Sequence, residues 1–314
     1  MFSLALVSKI AIILNSVIIF VLIRLIIFSM TKLIAPWDLF KQSWQTYRRF
    51  FKIMTLVMAG PFLLFIVNPL LLQTGANALF FLPVALLCSI AASFGAVWAG
   101  ATAITLLRDQ DETVAFKEAF RRSWPKFWSL VWVAIISAFV VGGGILLFLA
   151  PGIIFTIFFL FAQIIVIIEG DKGMKALLKS REYTRGYFWP ILGRYLLILL
   201  ASMIVYGIIM SLGSALGSVS GLVSQAVANI LVSPFILIYT YGLYQNLKSV
   251  KGEVPVSDKK GWIYILLAVA GYIVFALAIL MMVLVFTSAL SGYLIGSSVT
   301  EIMNNQVNGS SLIQ

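Results

Sequence analysis

The chain has 314 residues, with 22 Lys and Arg against 11 Asp and Glu, no His and one Cys; 62% of it is hydrophobic and 11% charged. Ordinary soluble domains are about 45–50% apolar and about 25% charged, so this composition excludes a soluble fold, and it excludes disorder, which needs low hydrophobicity. The missing His removes His-based zinc sites, Ser–His–Asp triads and His proton relays, and a lone Cys88 removes intrachain disulfides and Cys-rich metal sites.

What remains is an all-α polytopic membrane protein. A spanning helix needs about 20 predominantly apolar residues. Eight stretches meet that length: 10–30, 53–72, 78–107, 128–149, 151–168, 189–212, 222–247 and 262–290. Barrel strands would alternate over segments of about 10 residues, and these runs are longer and apolar on every face. The first run is longer than a signal-peptide core and no A-x-A cleavage site follows it. With Arg24 able to snorkel near its inner end, it reads as a retained span.

Charge orients these spans. The segments 31–52, 108–127 and 169–188 carry five Lys or Arg each, and 248–261 carries four. The alternate connections, QTGAN at 73–77, GGG at 142–144 and SALGSVSG at 214–221, carry none. The positive-inside rule then places the four basic segments in the cytoplasm, with both termini outside a cytoplasmic membrane.

The basic segments also have helical patterning. In PWDLFKQSWQTYRRFFK, Trp37, Phe40, Trp44, Tyr47 and Phe51 recur every three or four residues, which puts them on one stripe. Asp38, Lys41, Gln45, Arg48 and Lys52 lie elsewhere, the pattern of a helix resting in the headgroup plane. The second segment repeats this with Phe116, Phe120, Trp124 and Phe127 against Lys117, Arg121 and Arg122. In the third, Met174, Leu177, Leu178 and Phe188 form the apolar face and Asp171 is placed to cap the start. Each stretch leads into a pair of spans, so 36–107, 108–168 and 169–247 read as three copies of one unit. The organisation expected is an N-terminal span (1–35), a six-helix core of three hairpins (36–249), and a last span with an outer tail (250–314).

Pro151-Gly152 heads the fifth span and Glu169-Gly170 ends it; Ala176, Ser180, Thr184-Arg185-Gly186, Phe188-Trp189 and Gly193 follow. Over about 45 residues this run resembles the membrane domain attached to some glycerophosphoryl diester phosphodiesterases, and it is similar to YciC-type membrane proteins. The resemblance implies a membrane module without the phosphodiesterase activity, which in that family belongs to a separate soluble domain. It implies no substrate.

Glu169 is the one acid at the end of an apolar span, placed to pair with Lys172, Arg185 or Arg194. Arg194 lies a turn inside the next span and needs a partner or snorkelling. A Glu169–Arg194 tie between spans and a polar site for a lipid headgroup near Arg185 and Arg194 are both open. Amides such as Gln163, Gln225 and Asn229 suit interhelical bonding, while Gly95, Ala99 and Ala103, four apart, allow close helix contact within the chain or in a dimer.

No Walker loop, G-x-G-x-x-G, H-E-x-x-H or G-x-S-x-G is present. No catalytic residue, metal or cofactor is therefore assigned. The function expected is that of a non-catalytic, lipid-associated scaffold or accessory subunit, with a transporter, channel or lipid-translocating protein as the alternative. Anionic membrane lipids are the expected partners, met by Glu169, Arg185, Arg194, Arg48, Arg49, Arg121 and Arg122. A protein partner or a second copy stays open. Nucleic acid is not expected, because the bilayer already explains the charge and its spacing.

Overall fold

The computed structural model describes residues 33–73, 78–109, 116–215, 218–256 and 261–310. Among them there is no strand. The helices are α1 (Pro36–Gln73), α2 (Ala78–Asp109), α3 (Phe116–Ser123), α4 (Phe127–Leu147), α5 (Leu149–Phe158), α6 (Ala162–Ile168), α7 (Gly173–Thr184), α8 (Phe188–Ser214), α9 (Ser218–Lys251) and α10 (Gly261–Ser310). A short 3-10 turn, Trp124–Lys126, joins α3 to α4. Six segments are long and apolar enough to cross a membrane: Leu82–Asp109, Glu118–Leu147, Leu149–Ile168, Phe188–Gly213, Val223–Lys251 and Gly261–Thr287. They coincide with six of the eight expected spans. The expected span 53–72 forms the second half of α1, and 10–30 lies outside the described residues.

The chain divides into two compact units. The larger holds residues up to Ala138 together with Ile154–Gly261. There α1 packs on α2 and α9, α8 on α9, and α6 on α7. Pro36 and Asp38 start α1 favourably, the first by its fixed φ and the second by its charge near the helix N-terminus. The first basic segment is not a separate helix in the headgroup plane; α1 runs unbroken through it, about 57 Å at 1.5 Å per residue. Its buried face is Leu39, Ser43, Tyr47, Phe50, Met54, Val57 and Met58, spaced for one helical stripe. Only Tyr47 of the aromatic stripe belongs to that buried face, and its hydroxyl donates to the Leu231 carbonyl of α9 at 3.0 Å.

The second aromatic face is partly covered by protein: Phe127 is buried, while Trp124 stays exposed. Phe120, Trp124 and Phe127 gather round Trp98 of α2, with ring centroids 3.5, 4.7 and 5.8 Å away. The Trp98 indole donates to Ser123 Oγ. Gly95 lies against Pro61 of α1: a Cβ there would stand 3.2 Å from Pro61 Cγ. Ala99 and Ala103 are buried, so this small-residue face is used inside the chain.

The third basic segment departs furthest from expectation. Ala176, Leu177, Leu178, Ser180, Tyr183 and Thr184 of α7 are buried, on both sides of the helix, so α7 is a core element. Asp171 does not cap it; Lys172 holds the N-cap position without a side-chain bond, and Asp171 pairs with Lys175 and Lys179 instead.

The second unit holds Phe139–Ile153 and Trp262 onward. GGG at 142–144, expected as an outer loop, lies within α4, and the chain turns at Phe148, between α4 and α5. A Cβ on Gly143 would meet the Ala268 backbone at 2.5 Å, and one on Gly271 would stand 1.9 Å from the Gly143 carbonyl oxygen. Glycine is used here for helix contact. The outer tail expected after 290 is helical to Ser310.

Candidate functional site: a carboxylate among two lysines and two tyrosines

Helix α6 ends at Glu169. Its last turn closes with the Glu169 and Gly170 amides both donating to the Ile165 carbonyl, and Gly170 has φ +79°, which suits glycine at a helix C-terminus. The Glu-Gly pair is thus a helix stop that leaves a carboxylate at the end of an apolar span. Helix α7 contributes Lys179 and Tyr183 to it, and α9 contributes Tyr244 and Lys248. Glu169 Oε1 accepts from the Tyr244 hydroxyl at 2.6 Å, the Tyr183 hydroxyl at 3.0 Å and Lys248 Nζ at 2.7 Å. Lys179 Nζ is 2.6 Å from Oε2 and also 2.8 Å from Asp171 Oδ2. Only 7% of the Glu169 side chain is exposed, and both tyrosines are fully buried.

Burial alone would push the Glu169 carboxyl up, but Lys179, Lys248, Tyr244 and Tyr183 outweigh it and bring it down to about 2. Asp171 moves the same way: its burial is outweighed by Lys175 and Lys179. For Lys179, burial opposes the charge and the two carboxylates more than restore it, so its pKa is raised. Burial and the neighbouring Glu169 charge push the Tyr183 hydroxyl up. Glu169 and Lys179 are thereby each held in the charged form. The cluster's chemistry is to tie the ends of α6, α7 and α9 with charge-assisted bonds.

Further ties surround it. The chain leaves helical geometry at Phe159–Phe161, between α5 and α6, freeing backbone groups that hydrocarbon cannot satisfy. Ser180 Oγ fills the gap, donating to the Phe158 carbonyl at 2.6 Å and accepting from the Phe161 amide at 3.1 Å. This gives Ser180 in the Ala176-x-x-x-Ser180 pattern a physical reason, and Ala176 beside it is fully buried. Lys126 donates to the Ile167 carbonyl. Lys251 donates to the Glu182 and Arg185 carbonyls, each at 2.6 Å, at the negative end of α7.

Arg194 is 1% exposed and does not form the expected tie with Glu169. Its guanidinium clasps the carbonyl of Ile34 at 2.7 and 3.1 Å, with Leu33 O at 3.3 Å and Pro190 O at 3.1 Å. Asn246 Oδ1 accepts the Ile34 amide at 3.0 Å, so Arg194 and Asn246 hold the lead-in to α1 from both sides. Arg185 is exposed and lies 3.6 Å from Glu182; neither it nor Lys172 pairs with Glu169.

The remaining basic candidates fall into two groups. Arg121 and Arg122 pair with Glu118 at 3.0 Å, and Arg122 also with Asp109 at 3.2 Å. Arg48 and Arg49 are exposed on α1, with the Arg49 guanidinium 5.4 Å from the Phe50 ring centre. Among the described residues no group of three or more His, Cys, Asp or Glu could hold a metal ion. Sequence reasoning found Glu169 but missed Lys179, Lys248, Tyr183 and Tyr244. A lysine at the inner end of the α9 run, with a tyrosine one turn before it, was the available signal.

No curated protein and no solved structure matches the chain. Residues 99–246 match the model of an uncharacterised protein family (UPF0259), a stretch that contains Glu169, Lys179, Tyr183, Arg194 and Tyr244 and stops just short of Lys248.

Proposed function

We propose that the protein is a non-catalytic scaffold or accessory subunit of the cytoplasmic membrane, associated with anionic lipid, with its basic segments facing the cytoplasm. The observation that carries this is the engagement of Glu169. Its carboxylate is held between two lysines and two tyrosines and far below neutral pH, as suits a structural tie and not a proton carrier or general base. The apolar spans supply a large lipid-facing area, and the alternation of basic and uncharged connections supports the orientation. The resemblance to membrane domains that accompany a separate catalytic domain agrees with a supporting role.

A second reading, transport or lipid translocation, is favoured by one feature. A cavity of about 350 Å³ lies beside the α5–α6 break, lined by Leu160 and Gln163 there, Pro61 of α1, Gly100 of α2, and Ser233 and Thr240 of α9. Non-helical backbone next to a partly polar cavity is a feature of transport sites. Gentle purification followed by mass spectrometry of everything that co-isolates separates the two. The scaffold reading expects anionic phospholipid and a stoichiometric protein partner. A small solute retained in the cavity, with neither of those, would overturn it.

A further inference from the structure

Helices α1, α8 and α9 enclose an open groove of about 380 Å³. Phe40, Trp44, Tyr47 and Phe51 of α1 form one wall, with Val205 of α8 and Phe235 of α9 opposite. The Phe235 ring meets Phe40, Trp44 and Tyr47 edge-on, at 5.3, 5.9 and 5.6 Å between centroids. Its two hydroxyls are already engaged: the Tyr47 hydroxyl donates to Leu231 and the Ser202 hydroxyl to Ile198. Trp44 and Phe51 remain exposed at its mouth. Such a groove accepts hydrocarbon and rejects a polar ligand.

One edge of the groove is cationic. Each of three lining aromatics is followed by a basic residue: Phe40 by Lys41, Tyr47 by Arg48 and Phe51 by Lys52. One step along a helix turns the side chain about 100°, so the three cations border the groove on the outer side of α1. All three are exposed, and none forms an ion pair with a described residue. Lys41 Nζ stands 5.8 Å from the Trp37 ring centre. This separates α1 from the other basic segments, where Arg121, Arg122, Lys175 and Lys179 are neutralised by Glu118, Asp109, Asp171 and Glu169.

We infer that the groove is a binding site for one anionic phospholipid. An acyl chain lies along Phe40–Phe51 against Val205 and Phe235, and the lipid phosphate rests on the Lys41–Arg48–Lys52 edge. This rests on the lipid-associated reading above and gives it a location, on a helix that precedes the family match at residue 99.

The test is a titration of the full-length protein, exchanged into zwitterionic detergent, with phosphatidylglycerol and separately with phosphatidylcholine, counting bound lipid by native mass spectrometry. Wild type should retain one phosphatidylglycerol in preference to phosphatidylcholine. K41Q/R48Q/K52Q should weaken phosphatidylglycerol binding on the order of a hundredfold, from three contributions of about fivefold each. Val205→Trp, which fills the groove and keeps every charge, should abolish retention of either lipid there. R121Q/R122Q should bind as wild type does. Equal weakening in R121Q/R122Q, or undiminished binding in both Val205→Trp and the triple variant, overturns the site while leaving lipid association standing. No preference for phosphatidylglycerol in wild type overturns the lipid-associated reading itself. Should the triple variant fail to fold, Val205→Trp and R121Q/R122Q decide between these outcomes.

Discussion

Replacing Glu169 by Gln removes one charge and almost no volume. The Gln carbonyl oxygen can still accept from Tyr183 and Tyr244, so the hydroxyl bonds survive and the ionic contribution is isolated. Lys179 keeps Asp171 at 2.8 Å, whereas Lys248, 29% exposed, loses its only carboxylate among the described residues. Breaking one side of a buried ion pair costs about 3–5 kcal/mol, and the partial compensation at Lys179 places this case at the lower end. The carboxyl pKa bounds this figure from above. A fall from 4.5 to about 2, at about 1.4 kcal/mol per unit, sets an upper bound on the order of 3 kcal/mol, because the Tyr244 and Tyr183 bonds contribute to it and survive in Gln. Thermal unfolding in mild detergent at pH 7 should therefore drop by several degrees, with about 2–4 °C per kcal/mol for a domain of this general size. The pH dependence has a fixed sign. A carboxyl depressed on folding stabilises fully above its unfolded pKa, and that stabilisation is lost as pH falls through the folded one. The gap between wild type and Glu169→Gln should stay constant from pH 7 to about 4.5 and narrow between about 4.5 and 2. Equal melting temperatures at pH 7, or a gap that persists unchanged at pH 2.5, would refute the assignment of Glu169 as an ionic tie.

Other expectations follow from the same contacts. Ser180→Ala leaves the Phe158 carbonyl and Phe161 amide without their bridging hydroxyl and should cost about 1–3 kcal/mol, read as a lower melting temperature. Arg194→Lys cannot reproduce the forked grip on Leu33 and Ile34; hydrogen exchange at Ile34 should quicken, while exchange in α2 stays as in wild type. Gly271→Ala puts a Cβ where the Gly143 carbonyl oxygen stands and should destabilise by about 1–3 kcal/mol, or more where the backbone cannot give, again read by melting.

Hydropathy recovered six of the eight expected spans because the apolar content of a membrane helix is local and its required length is fixed by the bilayer. Periodicity recovered the stripe on α1 but not what covers it. The same aromatic spacing serves a helix lying under lipid headgroups and one lining a groove beside Phe235. GGG at 142–144 fits the alternation of uncharged connections between basic segments, whereas α4 uses Gly143 for its approach to Ala268 and Gly271. Glu169 stood out as a lone acid ending an apolar run, yet two of its partners, Tyr244 and Lys248, lie 75 and 79 residues away, and nothing local selects them over Arg194. The partners of Arg194 are backbone carbonyls, which every residue carries and no sequence distinguishes. Ser180 stands out in the sequence only as part of a spacing pattern, and its use depends on the break in the neighbouring span.

Reconstitution into sealed vesicles tests most directly whether the polar groups of the bundle are structural ties. Solute leak and the transfer of labelled phospholipid between leaflets would be followed for wild type and Glu169→Gln. The scaffold role predicts rates equal to those of protein-free vesicles for both proteins. Movement catalysed by wild type and lost in a Glu169→Gln protein that remains folded would contradict it, and would place transport, coupled to this carboxylate, in its stead.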